Sequence, residues 1–83
     1  MTFNLFKIDN STFTLKDTDM LPVTGGHGSK NLIISTINLI VKNNRKSASI
    51  FYYSDEGTRL GNMRLVDIIS SRLDKPLVPT DFM

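Results

Sequence analysis

The residues best suited to acid–base or nucleophilic chemistry lie in one short run. His27 is the only histidine of the chain, and Ser29 lies close to it within the glycine-rich residues 25–30. A hydrolytic site needs such a base beside a nucleophile, with a third group, here Asp17 or Asp19, to orient the base. Catalytic groups must be held rigidly, whereas a run rich in glycine predicts a mobile loop. We therefore predict that the chain is not an enzyme and has no catalytic residues.

The same run has part of the pattern of a phosphate-binding loop. Such loops aim successive backbone N–H groups at an anion, with a lysine that reaches the terminal phosphate. Here Ser29 precedes Lys30, and Gly28 follows Gly26 too closely for that spacing. The dinucleotide fingerprint fails as well, because Asn31 stands in the place of its third glycine. Since the chain has no cysteine and one histidine, it predicts neither a cofactor nor a metal site.

A basic segment precedes the most aromatic run of the chain. No acidic residue lies between Met20 and Ser54, and the predicted turn at residues 42–46 carries three cations. Cations that neutralise phosphates, beside aromatic rings on which bases stack, are the components of single-strand recognition. The competing interpretation is a charged hairpin tip that keeps the sheet soluble. The candidate residues of an alternative function, nucleic-acid binding, are therefore Lys42, Arg45, Lys46, Tyr52 and Tyr53.

Two short runs of strand-forming residues open the chain and predict a β-hairpin. Phe3–Ile8 and Thr12–Lys16 alternate apolar and polar residues. Asp9-Asn10-Ser11 between them are turn formers, because short polar side chains bond the local backbone. The glycine-rich segment Asp17–Lys30 that follows predicts a long loop.

The segment Asn31–Lys42 is compatible with two structures. Its apolar residues recur at helical spacing, and Ser29 is a suitable N-cap. Its many β-branched residues, however, pack better on a pleated sheet than in a helix. We therefore predict a strand here, a turn at Asn43-Asn44 and a second strand over Lys46–Ser54.

The segment Asn62–Asp74 predicts a helix with Asn62 as its N-cap. Its apolar stripe consists of Leu65, Val66, Ile69 and Leu73. The competing interpretation is a tight turn at Gly61-Asn62 followed by a strand over Met63–Ile69. Two prolines further on prevent a longer helix, so residues 74–83 predict an extended tail.

The predicted strand Lys46–Ser54 carries apolar residues on both of its faces. Successive strand residues point to opposite sides, so Ile50 and Tyr52 share one face while Phe51 and Tyr53 share the other. An antiparallel sheet with one hydrated face should alternate instead, so both faces need a cover. The helix covers one face, and the tail or a second copy of the chain must cover the other. The predicted interface residues are Ile50, Phe51, Tyr52, Tyr53, Leu77 and Phe82.

A chain of 83 residues forms one domain, residues 1–83, with a thin margin of stability. Since the chain has no cysteine for a disulfide and no predicted metal site, oligomerisation is the remaining way to add stability. We predict an α+β fold: an antiparallel sheet of about four strands, one C-terminal helix and an extended C-terminal tail.

The start of the chain lacks the pattern of a signal peptide, and no apolar run has the length of a membrane span. We therefore predict a cytoplasmic protein with no membrane partner. Abundant Ile and Asn with one alanine are typical of AT-rich coding, as in low-GC bacteria, their phages and some viruses. The predicted function is a small non-enzymatic interaction protein that self-associates. As a phage or viral accessory factor in the host cytoplasm, it would bind and modulate a host protein.

Overall fold

The strands of this chain form a five-stranded mixed sheet with one helix packed against it. The computed structural model describes residues 1–55 and 61–82. Neighbouring strands follow the order β3-β2-β1-β4-β5, in which β1 and β4 are parallel and the other pairs are antiparallel. In chain order the elements are β1 (Thr2–Lys7), β2 (Phe13–Lys16), β3 (Pro22–Gly28), α1 (Lys30–Asn44), β4 (Ala48–Ser54), β5 (Arg64–Ser71) and a 3-10 turn (Pro79–Asp81).

The predicted α+β class is confirmed, but two of its details are wrong. The sheet, predicted to have about four strands, has five; it is mixed rather than antiparallel, and its helix is mid-chain rather than C-terminal. The parallel pair explains the helix position. Because parallel strands need a crossover between them, the chain that leaves β3 must cross the sheet before it can form β4 beside β1.

The N-terminal hairpin is confirmed. β1 and β2 are antiparallel, with Leu5 opposite Leu15. In the turn, the Ser11 N–H donates to the Asp9 carboxylate at 2.8 Å. This hydrogen bond holds the pKa of Asp9 below its ordinary value, because it stabilises the ionised form. The turn therefore forms as its Asp and Ser residues predict.

The glycine-rich segment forms an edge strand, so the prediction of a long loop was wrong. In β3, His27 pairs with Thr14 of β2. A Cβ on Gly26 would lie 2.9 Å from the Leu15 Cβ, and a Cβ on Gly28 would lie 2.7 Å from the Leu32 side chain. The glycines allow β3 to pass close to both β2 and α1, so here glycine serves close approach rather than flexibility.

The segment predicted as a strand over Asn31–Lys42 is the helix α1. The Ser29 hydroxyl caps it by accepting the Leu32 N–H at 3.3 Å. The prediction failed because burial of the helical stripe overrides the weak β-propensity of branched side chains. The second predicted strand is confirmed as β4. The buried side chains of α1 are Ile33, Ile34, Ile37 and Val41.

The segment predicted as the C-terminal helix is the strand β5, which pairs antiparallel with β4. The alternative prediction of a strand over Met63–Ile69 is closer to the structure. Of the supposed helical stripe only Ile69 is buried, whereas Leu65, Val66 and Leu73 are exposed. β4 would otherwise present an unpaired edge, and β5 satisfies its backbone N–H and C=O groups.

The C-terminal tail packs on the same side of the sheet as α1. Leu77 and Phe82 are buried in the core, and the Phe82 ring centroid lies 5.8 Å from that of Tyr52. Asn38 of α1 holds the tail backbone with two hydrogen bonds. Its Oδ1 accepts the Leu77 N–H at 2.9 Å, and its Nδ2 donates to the Leu77 carbonyl at 3.1 Å. The tail therefore extends the cover that the helix provides.

We predict that Asn38→Ala lowers the free energy of unfolding by about 1–3 kcal/mol, because it leaves both partly buried Leu77 groups without their partner. Urea denaturation followed by circular dichroism measures the change. Asn44→Ala is the matched control, since the Asn44 side chain makes only an exposed bond to the Ile40 carbonyl on its own helix. Equal losses in the two variants would contradict the anchoring role of Asn38.

Candidate functional site

The side of the sheet opposite α1 forms a second, open face. In β4, Ile50 and Tyr52 are buried beneath the helix and tail, whereas Phe51 and Tyr53 alternate with them and are only half-buried. Residues paired across strands share a face. The register of β1 and β5 against β4 therefore identifies the remaining members of the open face.

Five apolar side chains cluster on this open face. Tyr53 is paired with Phe6 of β1 and with Leu65 of β5, and Phe51 is paired with Ile68 of β5. The Phe6 and Tyr53 rings are stacked, with centroids 4.9 Å apart and 14° between their planes. We call Phe6, Phe51, Tyr53, Leu65 and Ile68 the open-face patch.

The open-face patch is accessible to a partner. Ile68 is 56% exposed and Leu65 is 43% exposed. Lys16 borders the patch, with its Nζ 5.4 Å from the centroid of the Phe6 ring. A contiguous apolar cluster of this kind, with a polar margin, is typical of a protein interaction surface.

The six predicted interface residues fall into two groups. Phe51 and Tyr53 belong to the open-face patch. The other four lie in the core of the single chain, where they contact α1 or one another: Ile50, Tyr52, Leu77 and Phe82. Burial within the chain leaves these four no surface for a partner.

Three members of the open-face patch, Phe6, Leu65 and Ile68, were not predicted from the sequence. The hairpin pattern contained the signal for Phe6, because Phe3 and Leu5 share the buried face and Phe6 must point the other way. Leu65 and Ile68 carried no such signal while β5 was interpreted as a helix. Their place on the open face follows only from the pairing of β5 with β4.

The structure separates the predicted nucleic-acid residues. Arg45 and Lys46 lie just before β4 begins, whereas Tyr53 lies near its end, about 16 Å further along at the rise of a strand. Tyr52 is 2% exposed, so its ring has no free face on which a base could stack. Lys42 lies in the last turn of α1. The cations and the rings therefore do not form one surface.

The residues considered for catalysis have other partners. His27 Nδ1 lies 2.6 Å from the Thr14 hydroxyl on the neighbouring strand. The Ser29 hydroxyl caps α1. Asp17 accepts the backbone N–H groups of Asp19 and Leu21, at 2.9 and 3.0 Å. Each group takes part in a local structural contact.

Among residues 1–55 and 61–82, no three or more His, Asp or Glu side chains are grouped to hold a metal ion. In the same residues, no helix has the length and apolar character needed to cross a bilayer. Comparison with protein-family models, with curated proteins and with solved structures finds no match to this chain. The functional argument therefore depends on the surfaces of the molecule itself.

We predict that His27→Ala leaves both fold and self-association intact, with a change in unfolding free energy within about 0.5 kcal/mol, because the exposed side chain lies on β3, at the margin of the open face and outside the open-face patch. Thermal unfolding and the mass in solution measure the two properties. Loss of association with unchanged circular dichroism would contradict this and extend the functional surface to β3.

Proposed function

We propose that this chain is a non-enzymatic interaction protein that self-associates through the open-face patch. One observation carries the proposal. The helix and the tail both pack on the same side of the sheet, whereas β4 carries apolar side chains on both sides. A second copy of the chain supplies the missing cover.

The free edges of the sheet are poorly suited to an alternative mode, the addition of a strand. In β5, the Asp67 carboxylate accepts the Ile68 N–H at 2.8 Å, and the register shifts next to this pair. In β3, the Gly25 carbonyl accepts the Thr36 hydroxyl at 3.0 Å, and Pro22 has no N–H to donate. Occupied backbone groups and bulges of this kind protect edges from pairing. Face-to-face contact is therefore favoured.

The size of the open face fits a weak dimer. At its largest, with five strands spaced about 4.8 Å apart and about six residues of 3.3 Å each, the open face covers roughly 480 Å² and extends over β2 and β3 beyond the open-face patch. Two such faces bury about 1,000 Å² in total, which is near the lower limit for a specific interface. A two-fold arrangement with the sheets about 10 Å apart places the same patch on both sides of the contact. We therefore expect association in the micromolar range.

We predict that Ile68→Asp and Phe51→Asp abolish self-association, because burying an unpaired charge costs on the order of 3–5 kcal/mol. Sedimentation equilibrium at micromolar concentration should give a multiple of 9.3 kDa for the native chain and 9.3 kDa for the variants. Ile68 is the more informative position, since its exposed side chain contributes least to the fold.

The matched control is Leu39→Asp, which adds the same charge at a 57% exposed apolar residue of α1. This variant should associate like the native chain. Ile50→Asp should unfold the protein instead, because Ile50 is fully buried in the core. A native chain that is monomeric over a hundredfold range of concentration would rule out the proposal.

The wider role predicted from composition stays a proposal. A small accessory factor of phage or viral origin would bind a host protein, and the open-face patch offers Tyr53 and Phe51 for that purpose. Aromatic side chains bury a large area with few rotatable bonds, which suits them to protein interfaces. Self-association and the binding of a host protein would then compete for the open-face patch.

A further inference from the structure

A second surface brings together cations from three parts of the chain around two adjoining hollows. One hollow, of about 300 Å³, lies between α1 and the turn after β5, and its lining includes Lys42, Arg72 and Leu73. The other, of about 490 Å³, is lined by Lys42, Asn43, Arg45 and Leu73. Lys42 and Leu73 belong to both, so the hollows are adjacent. No acidic side chain of the described residues lines either one.

The backbone of Arg45 provides an independent observation. Arg45 follows the last residue of α1 with φ of 52°, in the left-handed region. Glycine is the residue that adopts this helix-ending conformation without strain. Arginine at such a position is unfavourable for folding, and strain of this type is concentrated at functional positions. The left-handed backbone ends α1 at this residue, so Arg45 lines the same hollow as Lys42 of the last helical turn.

The three cations are available to an anion. Lys42 and Arg45 make no ion pair within the described residues. Arg72 Nε lies 3.5 Å from the Asp74 carboxylate, with both side chains mostly exposed. Exposed pairs are weak, and the guanidinium has further N–H groups to donate. Arg72 can therefore bind a phosphate, either in place of the Asp74 carboxylate or together with it.

We propose that Lys42, Arg45 and Arg72 bind the phosphate backbone of single-stranded nucleic acid. Guanidinium groups match phosphate geometry, and adjacent hollows allow a flexible strand to follow the surface. Leu73, exposed between the cations, offers an apolar contact for a sugar or base. Recognition would not depend on base sequence, because contacts to phosphate oxygens carry no sequence information. The two hollows lie beside α1. Arg72 also lines a third hollow, of about 370 Å³, together with Ile68 of the open-face patch and with Asp67 and Asp81.

Fluorescence anisotropy with a labelled oligothymidylate of about twelve nucleotides tests this site. Three phosphate contacts predict that the logarithm of the association constant falls with the logarithm of salt concentration at a slope of about −2. Combining Lys42→Ala, Arg45→Gly and Arg72→Ala should weaken binding at least tenfold and flatten the slope toward zero. Absence of binding by the native chain at 50 mM salt, or equal binding by the triple variant, would overturn the proposal.

Two single variants separate binding from structure. Arg45→Gly should weaken binding while the melting temperature stays the same or rises, because glycine relieves the left-handed backbone. Asp74→Asn should strengthen binding by roughly two- to fivefold, since it removes the carboxylate that competes for Arg72. A purely structural role for these residues would produce neither result, so unchanged binding in both variants would count against the site.

The charge-matched control combines Lys7→Ala, Lys30→Ala and Arg64→Ala, which removes three cations from parts of the surface outside the hollows and the open-face patch. This variant should keep most of the affinity for the oligonucleotide. A loss of affinity equal to that of the first triple variant would show that binding depends on net charge alone, which would overturn the proposal. An oligoglutamate of the same charge as the oligonucleotide serves as competitor. Displacement of the oligonucleotide by oligoglutamate at equal concentration would assign the surface to acidic peptides and overturn the proposal.

Discussion

The packing of α1 onto one side of the sheet is the interaction on which the rest of the structure depends. Ile33 and Ile37 of the helix and Leu5, Leu15 and Ile50 of the sheet have no exposed surface. Burial of each such side chain contributes about 1.5–3 kcal/mol, a large share of the stability of a small domain. The tail adds to the same core, because Asn38 satisfies its backbone only there. The opposite face is left open as a consequence.

The two candidate surfaces follow from this one-sided arrangement. The open-face patch lies on the uncovered side of the sheet, whereas the cationic hollows lie beside α1 on the covered side. A dimer that joins two open faces would therefore leave Lys42 and Arg45 of both copies directed outward, with Arg72 beside the contact made by Ile68. A single strand long enough to reach both sets would bind with increased effective affinity, so weak individual sites would be sufficient.

The sequence allowed correct prediction wherever local pattern and final environment agreed. The Asp9–Ser11 turn defined the hairpin, and the alternation of β4 identified Phe51 and Tyr53 as neighbours on one face. Prediction failed where the deciding factor was distant in sequence. Helical spacing in α1 opposed its β-branched composition, and only burial against the sheet decides between them. β5 is a strand because β4 has an edge to pair, and Arg72 joins Lys42 only through that pairing.

Isotope-filtered nuclear Overhauser spectroscopy on a mixture of labelled and unlabelled chains tests the central claim most directly. At high protein concentration, the proposed self-association predicts contacts between copies that involve the rings of Phe6, Phe51 and Tyr53 and the methyl groups of Leu65 and Ile68. Contacts between copies confined to the backbone edge of β5 or to the outer surface of α1, with none at the open-face patch, would contradict it.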